Sequence, residues 1–220
     1  MLVITGMAGS GKTALIEHFL RRHQELRLCA SCTTGKNREK DNCYSIEPSV
    51  FAKMLRNNEF IEYVRNIRGD FCGTPFEEIA SAARKGLIPL LDISTGGLAQ
   101  IMKNPPVEPS GIVSMFIMPP DAETLKEQIM SGSRKSRDEI IGRLEAAVCE
   151  LDQSCLCSGI VINDTMASAL AMMEFLYMFP FENPYVNTDA FRRDLCRIID
   201  RMKNSSGEIY AKEAVYGKDD

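Results

Sequence analysis

The chain has 220 residues, of which 45% are hydrophobic and 25% charged; that balance excludes a disordered polymer and can fill the core of one α/β domain with a small lobe. With 30 acidic against 26 basic residues the net charge is −4, which gives no overall field for nucleic acid or an anionic membrane. No apolar run approaches the roughly 20 residues of a bilayer span, and the opening MLVITG enters a strand at once rather than a signal sequence, so a reducing, cytoplasmic compartment is expected.

Leu2-Val3-Ile4-Thr5 reads as a buried strand. A glycine-rich turn follows, then a helix from about Lys12 to Arg22, with His18 and His23 near its solvated end. Residues 26–32, 43–46, 60–66 and 71–74 read as short strands of a separate lobe. Pro48 opens a helix there that reaches about Arg56. Thr74-Pro75 opens another, with Phe76, Ile79 and Ala83 at helical spacing. Leu87 to Ile93 is a second core strand, in which Pro89 counts against a central position, and a helix through Leu98 and Met102 follows. Gly111 to Met118 is a third core strand, and Asp121 caps the next helix, to about Met130. The segment from Ser131 to Arg137 is polar and cationic; Ile140, Leu144, Ala147 and Leu151 then mark an amphipathic helix. Ile160 to Asn163 is a fourth core strand, with a helix after it to about Phe175. Strands alternating with helices of this length imply a parallel sheet covered on both faces. Phe191, Leu195, Ile198 and Met202 share one face of a last helix, which either docks on the core or makes a dimer contact, and residues 204–220 read as a tail. The eight cysteines include Cys29-x-x-Cys32, but on one strand those two side chains would point to opposite faces, and no histidine completes a zinc site.

Gly6-Met7-Ala8-Gly9-Ser10-Gly11-Lys12-Thr13 fits G-x-x-x-x-G-K-[ST] between a strand and a helix. Glycines let the backbone curl so that several N–H groups face one anion, and the helix N-terminus adds positive potential. Gly6, Ala8, Gly9, Ser10, Gly11, Lys12 and Thr13 are therefore the expected contacts of a nucleoside triphosphate, with Lys12 reaching the β- and γ-phosphates and the Thr13 hydroxyl a ligand for Mg²⁺. Asp92, ending an apolar strand, is a candidate to support the magnesium from beyond its first ring of ligands; its plainer reading is a strand-end aspartate.

Further motifs follow in order: Ser31-Cys32-Thr33-Thr34-Gly35-Lys36-Asn37-Arg38, Asn57-Asn58-Glu59-Phe60-Ile61-Glu62-Tyr63, Gly69-Asp70-Phe71-Cys72-Gly73-Thr74, Leu91-Asp92-Ile93, Phe116-Ile117-Met118-Pro119-Pro120, Ile140-Ile141-Gly142-Arg143-Leu144 and Val161-Ile162-Asn163-Asp164. Together with the glycine-rich loop, residues 1–177 resemble the guanylate kinase family. The resemblance implies a P-loop NTPase three-layer α/β sandwich with a parallel sheet, a small β-rich GMP-binding lobe and a lid. It divides the chain into a core (1–29, 75–125 and 139–177), a GMP-binding lobe (30–74) and a lid (126–138), with 178–220 as a C-terminal extension. It implies transfer of phosphate from ATP to GMP with Mg²⁺ by a monomer or homodimer, with no nucleic-acid or membrane partner. Glu62 stands where the family reads guanine, because a carboxylate accepts from N1–H and N2–H₂ together and adenine offers neither donor. Ser31, Thr74 and Ser94 are implied beside the base, Arg38 and Tyr44 on the GMP phosphate, Asn163 on ATP, and Arg143 across the phosphates.

The sequence also departs from the family pattern. Gly35 replaces an arginine, Cys72 a tyrosine and Ser94 an aspartate, and Gln128 and Gly132 stand where lid arginines are expected. Arg134 and Arg137 lie close enough in sequence to take over the catalytic role of those arginines. These changes keep two other readings open: a guanylate kinase-like binding module with weak catalysis, and a kinase for a different nucleoside monophosphate.

Overall fold

The computed structural model describes residues 1–35, 42–66, 69–131, 136–180 and 186–204. In chain order they form β1 (Leu2–Gly6), α1 (Lys12–Arg22), β2 (Leu26–Leu28), β3 (Ser31–Thr33), β4 (Cys43–Ser45), α2 (Pro48–Arg56), β5 (Phe60–Arg65), β6 (Phe71–Pro75) and α3 (Phe76–Arg84). β7 (Ile88–Asp92), α4 (Thr95–Lys103), β8 (Val113–Met118), α5 (Ala122–Ser131), α6 (Arg137–Asp152), β9 (Gly159–Ile162), α7 (Met166–Met178) and α8 (Asp189–Asn204) follow.

Five parallel strands make the main sheet, in the order β2-β7-β1-β8-β9. Both faces are apolar because side chains alternate along each strand. Leu2, Ile4, Met115 and Ile117 pack under α1 and α7. Val3 and Leu91 pack under α4, and Phe116 and Met118 under α5, α6 and α8. This is a three-layer α/β sandwich. A second sheet, β4-β3-β6-β5, is mixed: β3 and β4 are parallel, and β6 runs antiparallel to β3 and β5. Its own small core is Cys32, Phe51 and Phe60, with the two rings stacked at 4.5 Å.

Four details differ from the sequence reading. Residues 26–32 are two strands in different sheets, because the chain leaves the main sheet where the Cys29 N–H bonds to Leu90 O at 2.8 Å. Pro89 lies in β7, one strand in from the edge. Alternate residues of a parallel strand bond to opposite neighbours, and Ile88 and Leu90 bond to the β2 side. Pro89 therefore faces β1, whose pairing with β7 begins only at Leu90, so no ladder bond is lost. On α3 the inward face is Ile79 and Ala82; Phe76 and Ala83 are exposed. His18 is solvated, but His23 is half-buried where α1 meets α7. Its ring bonds to Glu25 at 2.9 Å and Glu174 at 2.7 Å and lies against Phe19 and Tyr177.

The last helix docks on the core. Phe191, Leu195, Ile198, Ile199 and Met202 are buried against α5 and α6, and Arg192–Asp152 and Lys203–Glu145 ion pairs fasten its rim to α6. Leu195 is 0% exposed, so Leu195→Ala leaves a cavity and is expected to cost about 2–5 kcal/mol in urea denaturation. Unchanged stability together with a smaller oligomer would show instead that this face serves an interface between copies.

Candidate active site

The glycine-rich loop joins the C-terminal end of the central strand β1 to α1. Gly6 has φ of 139°, and a Cβ there would lie 2.1 Å from the carbonyl oxygen of Ile117. Only glycine lets the loop start this close to β8. Lys12 Nζ turns back to donate to Gly6 O at 2.6 Å and Met7 O at 3.0 Å, which holds the ammonium at the mouth of the loop. Asn163, just past β9, donates from Nδ2 to Ser10 O at 2.8 Å. It supports the loop from behind and does not line the cleft. The Ser10 hydroxyl is buried with no protein partner among the described residues. Thr13, in the first turn of α1, is exposed. The first N–H groups of the helix have no intrahelical partners and form an anion cradle beside Lys12.

Opposite the loop, the second sheet supplies the other wall. Ser31, Cys43, Glu62, Val64 and Cys72 line one cleft of about 260 Å³ together with Gly6, Ala8, Lys12, Asp92 and Ser94. Glu62 on β5 is 3% exposed. Thr74 Oγ1 donates to Glu62 Oε1 at 2.8 Å, and Ser31 Oγ lies 3.0 Å from Thr74 Oγ1. Thr74 has one hydroxyl proton and spends it on Glu62, so Ser31 is the donor in the second bond. Burial raises the Glu62 carboxyl to a pKa of about 6, against the pull of the Thr74 hydroxyl and N–H. A Cβ on Gly97 would lie 2.5 Å from Glu62 Oε2, so the bare glycine backbone of α4 makes room for the carboxylate. Ser94 caps α4 by accepting the Gly97 N–H at 3.2 Å, which leaves its own hydroxyl proton for the cleft.

The structure thus gathers Gly6, Ala8, Lys12, Ser31, Glu62, Asp92 and Ser94 around one space, with Thr74 directly behind Glu62. Tyr44 does not line the cleft. It is 42% exposed and pairs with Cys32, whose side chain enters the small core on the other face. Its neighbour Cys43, paired with Ser31, lines the cleft. Period-two alternation makes a one-residue difference in register a change of face. Arg143 bonds from Nη2 to Glu139 at 3.1 Å, one turn back on α6, and its Nε is buried without a partner among the described residues. Arg137 opens α6. Neither arginine lines the cleft. Arg38 and Arg134 lie outside the described residues.

Glu150 was not anticipated from the sequence. Glu150 on α6 lines the cleft, accepts the backbone N–H of Ala8 and faces the Lys12 charge; burial raises its carboxyl pKa and those two contacts lower it. Its spacing was the available signal, since residues seven apart share a helix face and Arg143 had already been singled out.

A family model described as Guanylate kinase matches residues 1–177. Guanylate kinase of Rickettsia typhi is 30% identical over 174 residues, covering 77% of this chain and 86% of that protein. The Prochlorococcus marinus guanylate kinase is 33% identical over 158 residues, 70% of this chain and 83% of that protein. The crystal structure of guanylate kinase from Anaplasma phagocytophilum superposes with a TM-score of 0.63 at 22% identity, covering 83% of this chain and 86% of that one, a likeness of fold.

The buried charge at Glu62 has a measurable cost. Its folded pKa of about 6 lies above the ordinary 4.5, so the penalty is absent below about pH 4.5, grows as the pH rises through 6 and is constant above. Without nucleotide, Glu62→Gln is expected to be more stable than wild type by about 2 kcal/mol near pH 7.5, and equal to it near pH 4, in urea titrations. Equal stability at both pH values would set the buried charge aside.

Proposed function

The chain belongs to the guanylate kinase family, and on that premise we propose that it passes the γ-phosphoryl group of ATP to the phosphate of GMP, releasing ADP and GDP. The observation that carries this reading is the pairing, in one cleft, of the Lys12 loop with a buried carboxylate that has no protein cation bonded to it among the described residues. A phosphate cradle faces a group suited to two neighbouring N–H donors on a purine edge.

In the reaction a GMP phosphate oxygen attacks the γ-phosphorus in line. The new O–P bond forms as the bond to the bridging β–γ oxygen breaks, and ADP leaves with that electron pair. Lys12 offsets the charge of the phosphates and the N–H groups of the loop at Gly9, Gly11 and Thr13 donate to their oxygens; Glu150 and Asn163 hold the loop in shape from two sides. Glu62, with Ser31 and Ser94 near the base, orients the guanine so that its phosphate points at the donor. Arg143, Arg137, Arg134 and Arg38 are the cations proposed to close on the phosphates, Arg38 from the acceptor side. In this reading residues 30–74 form the acceptor lobe and 126–138 the lid, both hinged on the core.

Magnesium fits the residues present. Thr13 and Asp92 bring hard oxygen donors to the loop's edge, and among the described residues no cluster of three or more His, Cys, Asp or Glu could hold a metal. Two such oxygens suit an ion carried on the nucleotide phosphates and completed by water; when bound it would screen the charge of the transferring group. Among the described residues no helix is long and apolar enough to cross a membrane.

The test is ADP formation in a coupled assay with a panel of nucleoside monophosphates. GMP is expected to be the preferred acceptor. Lys12→Ala is expected to abolish transfer with an unchanged circular dichroism spectrum, and Glu62→Gln to lower kcat/KM for GMP on the order of 100-fold. Turnover on AMP equal to that on GMP, or near-wild-type activity in Lys12→Ala, would overturn the assignment.

A further inference from the structure

Glu62 sits on β5, the outermost strand of its sheet. An outer strand leaves alternate backbone N–H and C=O groups without a ladder partner. At Tyr63, the residue after Glu62, both groups are satisfied by one side chain from the main domain. Gln100 Nε2 donates to Tyr63 O at 2.6 Å, and the Tyr63 N–H donates to Gln100 Oε1 at 3.2 Å. The amide thus supplies the pair of bonds a neighbouring strand would supply.

Gln100 is one turn along α4 from Gly97, so the two share a helix face. Gly97 faces the Glu62 carboxylate and Gln100 grips the next residue. α4 itself is fixed to the main sheet by Leu98 and Ile101, both fully buried with Val3, Leu91 and Ile93. The path from the main sheet to the carboxylate therefore runs through two adjacent side-chain positions on one helix.

We propose that Gln100 is a positioning residue for acceptor selection, setting the depth and angle at which Glu62 meets the purine edge. The proposal rests on the function argued above. A side chain that only covered a strand edge would act on stability alone. One that registers the carboxylate against the core acts on the acceptor and leaves ATP untouched, because the loop around Lys12 shares no contact with Gln100 among those described.

Gln100→Met keeps the shape and removes both bonds. In steady-state assays of the full chain with GMP, IMP and ATP, this variant is expected to raise KM for GMP about tenfold, as when a displaced carboxylate meets one of the two guanine donors in poor geometry. KM for ATP is expected to be unchanged, and the urea midpoint to fall only slightly because both bonds are solvent-exposed. The preference for GMP over IMP, which lacks the N2 amine, is expected to shrink, because a displaced carboxylate reads that amine poorly. Unchanged GMP kinetics, or a parallel rise in both KM values with a strongly lowered urea midpoint, would overturn the proposal. A wild-type chain that turns over no GMP would overturn the functional reading, and this inference with it.

Discussion

Holding an ionisable carboxylate almost wholly out of water at the wall of an open cleft is the constraint on which the acceptor half of this structure depends. Desolvation makes the charged form of Glu62 costly, and the surroundings offset only part of that cost. Thr74 spends its single proton on the carboxylate, Ser31 supports Thr74, and Gly97 gives up a side chain so that α4 can approach. None of these contacts neutralises the group. Its remaining acceptor capacity is left for a ligand with paired N–H donors, and a ligand without them would leave the carboxylate unsatisfied.

The donor half solves the opposite problem. There the backbone supplies positive potential and needs to be kept in an unusual shape. Gly6 is pressed against β8, Asn163 holds the carbonyl of Ser10, and Glu150 takes the N–H of Ala8. Three elements far apart in sequence thus brace eight consecutive residues. Lys12 bonds to the loop's own carbonyls, so its charge is placed before any phosphate arrives. Both halves meet at the C-terminal edge of the main sheet, the usual place for ligands in α/β proteins.

The sequence made the donor half legible because its chemistry is contiguous: loop, lysine and hydroxyl occupy eight adjacent positions with a strand and a helix on either side. The main sheet was legible for a similar reason, its strands being apolar runs separated by amphipathic helices. The acceptor half was harder. Glu62, Ser31 and Ser94 were found through a family resemblance, but the exchange of Tyr44 for Cys43 in the cleft turned on strand register, which short strands such as Cys43–Ser45 fix only through their neighbours. Pro89 is tolerated on an inner strand because it faces β1 just before the pairing of the two strands begins, which its own residue type does not reveal. Gln100 and Glu150 act on backbone distant in sequence, that of Tyr63 and Ala8, which carries no side-chain signature; only the spacing of Glu150 from Arg143 on α6 hinted at its place.

Recognition of the base rests on the state of one carboxyl group. Its most direct measurement is the titration of the Glu62 side-chain carboxyl carbon by NMR, in the free protein and in the presence of saturating GMP. The expected result is a free-state pKa of about 6 that moves downward when guanine N–H donors stabilise the charged form. A pKa that stays in place or rises on adding GMP would contradict the claim that this carboxylate reads the base.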